Sequence, residues 1–233
     1  MPLKSRPPTR AERALATRRR MVTAAYSLFC SNGYLGTTIS AVATEAGVAV
    51  PTVYYTFGTK AALLAESLGA AVVGCDLWRE PPTEPIDITE LLPWHPWWAD
   101  FQAAPTSGGA LEIFVGHGVQ ILRRVGPLIP AMHAASGEPE AGEVVRAGEQ
   151  RRVASYREAI SILARKPGGI RRGLSEADAT DMLVVLFSAD VHQGLAVGRG
   201  WSTIRCVGFF ADILRAQLLG DPPGDAADSP RTS

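Results

Sequence analysis

Three cysteines and four histidines are too few, and too scattered, to build a disulfide framework or a metal centre. Cys30, Cys75 and Cys206 are odd in number and lack ligand spacing, which fits reduced thiols packed as small apolar side chains. No basic cluster flanks any of them to lower its pKa, so a redox-sensing role has little behind it. His95, His117, His133 and His192 offer no pair at metal-binding spacing, and neither a metal nor a cofactor is expected. Long apolar runs are missing as well. No window approaches the roughly 18 uninterrupted apolar residues of a membrane span, and the first twenty residues are arginine-rich rather than apolar, so the chain reads as soluble, cytoplasmic and without a membrane partner. There is no nucleophile elbow, zinc-hydrolase helix motif or framed carboxylate pair, which points away from an enzyme.

The front of the chain is also short of negative charge. Residues 1–65 hold eight basic side chains against two acidic ones, Glu12 and Glu45, while the remainder holds 15 basic against 21 acidic. The zero net charge of the 233 residues thus hides a basic front on an acidic body, the electrostatic pattern of a chain that meets a polyanion at one end.

What is present is helical. Residues 1–12 read as a flexible basic arm. Val22, Ala25, Tyr26 and Phe29 recur at helical spacing, and Asn32-Gly33 offers a left-handed stop. Thr38 is placed to cap a second helix, in which Ile39, Val42, Ala43 and Ala46 repeat the spacing before Gly47. Pro51, acceptable in a helical first turn, opens a third. A short helix pair joined by a tight glycine turn is a helix-turn-helix, with the third helix as the recognition helix. At about 100° per residue, Val50, Val53 and Phe57 share the inward face. Tyr55 points directly away, beside Pro51 and Thr52, and Tyr54 and Thr56 lie on the flanks. Gly58 ends this helix, and Thr59 caps the next, whose first turn carries Lys60. A helix N-terminus with a lysine suits a phosphate.

Residues 18–64 resemble the DNA-binding domain of the TetR family of transcriptional regulators. The resemblance is carried by Thr37-Thr38-Ile39 through Ala43, Glu45-Ala46-Gly47-Val48, and Val53-Tyr54-Tyr55-Thr56-Phe57-Gly58-Thr59-Lys60-Ala61-Ala62-Leu63. It implies a homodimer with a three-helix DNA-binding domain and a larger all-helical body that binds a small molecule. By position it gives Thr38, Thr52, Tyr54, Tyr55 and Lys60 DNA-contact roles, to which Arg18, Pro51 and Thr56 are added as candidates. Ala49 and Val50 stand where the family often has a capping serine and a polar residue. The lost cap costs about 1 kcal/mol of helix stability.

The expected architecture is all-α, with the arm over 1–12, the helix-turn-helix domain over 13–65, an effector-binding and dimerisation domain over 66–220, and a disordered tail over 221–233. Within the body, Glu80 to Pro85 is a proline-rich break. Trp94, Trp97, Trp98 and Phe101 form an aromatic stripe, and a helix over about 107–125 carries Phe114 and His117. Its Gly116-His117-Gly118 lacks the third glycine and the preceding strand of a nucleotide loop. A long helix over about 140–165 carries Tyr156. Ser175 opens a further helix whose apolar face includes Phe187 and, unusually, Asp190. The ligand site is therefore expected among Trp97, Trp98, Phe101, Phe114, Tyr156 and Phe187, with His117 or Asp190 as polar anchor. A last helix capped near Ser202 has two apolar faces, and its Phe209 and Ile213 are candidates for the partner subunit within an interface over about 176–219. The leading reading is a dimeric repressor of a palindromic operator, released by an apolar or aromatic effector. The alternative is a DNA-binding dimer whose body serves only dimerisation or protein contacts.

Overall fold

The computed structural model describes residues 9–74 and 95–220. Among these residues there are eleven α-helices and no strand, the nearest approach to a sheet being one isolated antiparallel bridge between Ile170 and Leu219. The architecture is all-α. Most of the expected arm, the proline-rich break, Cys75, Trp94 and the tail lie outside the described residues. The chain divides into two compact units, residues 1–87 with 121–151 and residues 88–120 with 152–233.

The first unit begins with α1 (Arg10–Gly36). Helix starts earlier than the arm over 1–12 allowed. Thr9 accepts a hydrogen bond from the Glu12 amide, and the Glu12 carboxylate accepts one from the Thr9 amide, a reciprocal cap that satisfies two otherwise orphaned donors. Those hydrogen bonds from Thr9 hold the Glu12 carboxyl below its usual range, so this cap is complete above ordinary carboxylate pKa values and is lost as pH falls through the depressed one. Near the other end Gly33 adopts φ 68°, a conformation only glycine takes without strain, and breaks the helical path before the last turn.

Helices α2 (Ile39–Ala46), α3 (Val50–Phe57) and α4 (Lys60–Val73) follow. Thr38 and Thr59 cap α2 and α4 by accepting from the amides of Ala41 and Ala62, each at 3.1 Å. Gly47 takes a left-handed φ of 65° in the turn between α2 and α3. Ala49 leads into α3 with no capping side chain, so this helix depends on its neighbours. They are close: α1 packs on α2 and α4, and α3 packs on both α2 and α4. Met21, Val22, Phe29, Val42, Val53, Leu63 and Leu64 form one core with Leu128 and Ala131 of the segment that carries α7 (Ile129–Ala135).

Helix α6 (Ser107–Val125) contributes its last turn to this unit. There Arg124 donates from Nε to the Ala71 carbonyl at 2.7 Å and from a terminal nitrogen to the Val72 carbonyl at 3.1 Å, serving two carbonyls that the end of α4 leaves without helical partners. Tyr26 of α1 donates its hydroxyl to the Arg124 carbonyl at 2.8 Å.

The second unit comprises α5 (Pro96–Ala103), the first part of α6, the second part of α8 (Pro139–Arg165), α9 (Glu176–Leu186), α10 (Ala189–Ala196) and α11 (Thr203–Leu218). Lys166 closes the end of α5 by donating to the carbonyls of Gln102 and Ala104, both at 2.7 Å. Ser175 and Ser202 cap α9 and α11. The single helix expected across residues 176–195 is in fact two. Phe187 leaves the helical path, and Ser188 starts α10 by accepting from the Val191 amide at 3.3 Å. Burial raises the pKa of both Cys30 and Cys206, opposed by hydrogen bonding with Tyr26 at the first and by the charge of Arg205 at the second, which suits inert thiols.

Removing the guanidinium that closes α4 leaves two carbonyls without their charged donor. Arg124→Ala is expected to lower the unfolding free energy by about 1.5 to 3 kcal/mol, with Arg124→Lys only a partial remedy because an ammonium lacks the planar fork. Urea denaturation of the three proteins checks this.

Candidate nucleic-acid interface and aromatic core

Helical geometry separates the neighbouring tyrosines of α3. Val53 is fully buried and Phe57 nearly so, whereas Tyr55 is 94% exposed and Tyr54 52%. Pro51 is exposed with them, and Thr52 and Thr56 are half-buried. The Thr56 hydroxyl donates to the Thr52 carbonyl at 2.8 Å, so its proton is spent inside the helix. Thr38 is exposed, though its side chain is engaged as the cap of α2.

The two candidate cations are committed within the domain. Arg18 forms a salt bridge with Glu66 at 2.7 Å and lies 4.8 Å from the Phe57 ring centroid, joining α1, α3 and α4. Lys60 donates to the carbonyls of Tyr34 at 3.0 Å and Thr37 at 3.3 Å, with its ammonium 4.1 Å above the Tyr34 ring. Burial first, then the carboxylates of Glu140 and Glu138, pushes the Tyr34 phenol above its ordinary range and keeps it neutral. The partners of Lys60 are uncharged, so its positive charge is not cancelled. Arg18, by contrast, is neutralised by Glu66. The sequence reading placed both at a DNA surface and did not anticipate that each also holds the domain together.

In the second unit, six of the eight expected pocket residues come together. Trp97, Trp98, Phe101, Phe114, Tyr156 and Phe187 are all buried. Their rings meet in a continuous set of tilted and edge-on contacts, from 4.8 Å between Trp98 and Phe101 to 6.2 Å between Tyr156 and Phe187. Tyr156 donates its hydroxyl to the Phe187 carbonyl at 2.8 Å, satisfying its one polar atom. Two further residues join: Phe210 packs edge-on against Phe187 at 5.0 Å, and buried His95 lies 5.6 Å from Trp97. Phe210 could have been included from the sequence, since it sits on the inward stripe of the last helix.

The two expected polar anchors are not inside this cluster. His117 is exposed and stacks on the outer Trp97 ring, 5.5 Å away and nearly parallel. Asp190 is also exposed, in the first turn of α10. The break at Phe187 and Ser188 resets the helical phase, so the spacing that put Asp190 on the apolar face of an unbroken helix does not apply. A hollow lies elsewhere in this unit, between α9 and α11. It is open to solvent, has a volume of about 420 Å³ and is lined by Asp181, Met182, Val185, Leu186, Ile213 and Gln217.

A tight glycine turn between two short helices, with the second presenting an aromatic face to solvent, defines a helix-turn-helix regulator carrying an all-helical body. Residues 22–67 match the family model for bacterial regulatory proteins of the tetR family. No curated protein matches the chain. Solved structures establish the same fold over most of its length. The transcriptional regulator FadR from Bacillus subtilis, solved with stearoyl-CoA, is 14% identical with a TM-score of 0.60, covering 84% of this chain and 97% of that one. A protein from Mesorhizobium loti assigned to the TetR family is 23% identical with a TM-score of 0.59, covering 90% and 98%. NalD, the secondary repressor of the MexAB-OprM multidrug efflux pump in Pseudomonas aeruginosa, is 19% identical with a TM-score of 0.56, covering 88% and 97%.

Two substitutions test this geometry. Lys60→Ala is expected to reduce stability by about 1 to 3 kcal/mol through its abandoned carbonyls. It is also expected to lower the salt dependence of DNA binding by about one unit of slope, a pairing that a pure phosphate contact would not give. Gly118→Ala would bring a methyl group within 2.5 Å of the Phe187 ring, which is hemmed in by Phe114, Tyr156 and Phe210. The overpacking cost of about 1 to 3 kcal/mol exceeds the gain of about 1 kcal/mol in helix propensity, so thermal unfolding is expected at a lower temperature.

Proposed function

We propose that the protein is a dimeric transcriptional repressor that binds a palindromic operator and is released from it by a small apolar or aromatic effector. The observation that carries the DNA-binding part is Tyr55. A phenol ring left 94% exposed on a helix whose other face is fully buried is costly in water and useful in a groove. Pro51, Thr52, Tyr54 and Thr56 surround it on α3. Thr38 and the N-terminus of α4, with Lys60, flank it as phosphate contacts. Arg18 is better read as a positioning residue for α3 than as a contact.

Support for dimerisation comes from α9 and α11. Val185 is 66% exposed and Ile204 86%, while Met182, Phe209 and Ile213 remain partly uncovered. Two copies joined across this face would carry two recognition helices, and two half-sites about one duplex turn apart would make the operator palindromic.

The effector reading rests on the aromatic cluster and on proteins of the same fold, one of which was solved with stearoyl-CoA and another of which is a repressor. Trp97, Trp98, Phe101, Phe114, Tyr156 and Phe187 would form the apolar wall, opened by movement of the short helix α5. His117, on the outer side of Trp97, would meet a polar end. Release requires only that the effector favour one dimer arrangement over another, and tenfold weaker operator binding needs about 1.4 kcal/mol of coupling. The alternative, a DNA-binding dimer with no small-molecule effector, is favoured by one specific observation: the rings that would wall the cavity pack against one another.

The functional test begins with selection from a random duplex pool, in which a palindrome is the expected product. Phe209→Glu with Ile213→Glu is expected to give monomers in sedimentation that lose cooperative operator binding; a mutant that stays dimeric refutes this interface. Acyl and aromatic probe ligands are then titrated with tryptophan fluorescence and operator affinity read together. A fluorescence change accompanied by at least tenfold weaker DNA binding supports the effector reading, and ligand binding without loss of operator affinity favours the alternative.

A further inference from the structure

We infer that the recognition helix reads its half-site through the 5-methyl groups of thymine, and not through bidentate contacts with the edges of guanine or adenine. The inference rests on the operator-binding reading and adds the chemistry of the bases involved.

From Val48 to Gly58 the chain contains no Arg, Lys, Asn, Gln, Asp, Glu or His. Those are the side chains that make bidentate contacts with guanine O6 and N7 or adenine N6 and N7, or that accept from cytosine N4. The nearby cations do not fill the gap, because Arg18 is paired with Glu66 and Lys60 is tied to the carbonyls of Tyr34 and Thr37. Among the hydroxyls of α3, Thr56 donates its proton to its own helix. Ser40, Thr44 and Glu45 of α2 are exposed, but the first helix of such a pair crosses the backbone and does not enter the groove.

What α3 offers a major groove is therefore apolar surface with the single hydroxyls of Thr52, Tyr54 and Tyr55, and no side chain able to grip a purine edge bidentately. Pro51 presents an exposed pyrrolidine ring in the first turn, the part of a recognition helix that meets base edges. Thr52 adds a methyl beside it, and Tyr55 adds a phenol ring one turn further on. The thymine 5-methyl is the matching group on the base edges in that groove. Specificity is then a matter of which positions place a methyl against Pro51, Thr52 or the Tyr55 ring.

The experiment uses the full chain and the palindrome it selects. Each thymine of a half-site is replaced in turn by uracil, which removes the methyl and preserves base pairing. At one or two positions per half-site, affinity is expected to fall about fourfold, the worth of burying one methyl group. Pro51→Ala or Thr52→Ser is expected to abolish the penalty at its own position, read as the ratio of that variant's affinities for the thymine and uracil operators; serine keeps the hydroxyl and loses only the methyl. Replacing half-site guanines by 7-deazaguanine is expected to have no effect. Selection of a palindrome that tolerates uracil at every position, or that is weakened by 7-deazaguanine, overturns the inference and leaves operator binding intact. Failure to enrich any sequence removes the operator reading itself, and the inference with it.

Discussion

Eight-residue helices do not hold together alone in water, and α2 and α3 are each of that length. The whole DNA-facing apparatus therefore depends on one constraint: the apolar stripe of α1 must be buried against its neighbours. Met21, Val22, Ala25 and Phe29 are between 0% and 3% exposed. They form the floor on which Val42, Val53, Phe57, Leu63 and Leu64 settle. Burial of large side chains of this kind is worth about 1.5 to 3 kcal/mol each, so together they outweigh a missing cap several times over. That comparison explains why Ala49 can precede α3 without a capping side chain and the recognition helix still forms.

Once that floor is set, the basic residues near it divide by the partner each finds. Arg18 meets a carboxylate and a ring, so its charge is neutralised and it acts as a strut between helices. Lys60 meets backbone carbonyls, which engage its ammonium without cancelling its charge, and Arg124 donates to the carbonyls at the end of α4. The positive potential of the front survives this internal use, and the same side chain can both fix a helix and attract a polyanion. Sequence position alone suggested the second role for Lys60 and gave no sign of the first, because the accepting carbonyls of Tyr34 and Thr37 lie more than twenty residues away along the chain.

The first four helices were legible because their ends are written in local chemistry. Thr38, Gly47, Gly58 and Thr59 each do at a boundary what their residue type does best, and period and cap agree. Gly33 was legible as a stop, yet the chain regains a helical turn after it. The body was less readable for a physical reason. Ser188 is a capping residue placed inside a stretch whose apolar spacing is uninterrupted, so periodicity predicted one helix where the structure has two. Every face assignment beyond the break shifted with it, which is why Asp190 emerged in solvent. The aromatic cluster survived this error because its members come from three separate helices and from the break itself, and each lies on its own inward stripe or in the core. Of the residues that surround them, Phe210 lies on the inward stripe of α11, and His95 follows from tertiary packing.

The cluster also sets the terms on which the body could respond to a ligand. Rings at 4.8 to 6.2 Å satisfy one another, and the Tyr156 hydroxyl is already bonded to the Phe187 carbonyl. An incoming molecule must replace contacts that exist, and a single aromatic pair is worth about 0.5 to 1.5 kcal/mol beyond its buried area. The replacement is tolerable where the displaced side chain can move with its backbone. Phe187 is poorly placed for that, since it meets the rings of Phe114, Tyr156 and Phe210 and closely faces Gly118. Trp97 and Trp98 are better placed, because both sit on α5, an eight-residue helix whose C-terminal carbonyls accept from Lys166. Opening at the tryptophan side would preserve the Phe187 and Phe210 contact that ties α11 to the break before α10. The cost of admitting a ligand would then fall on α5, leaving α11 seated in its own core.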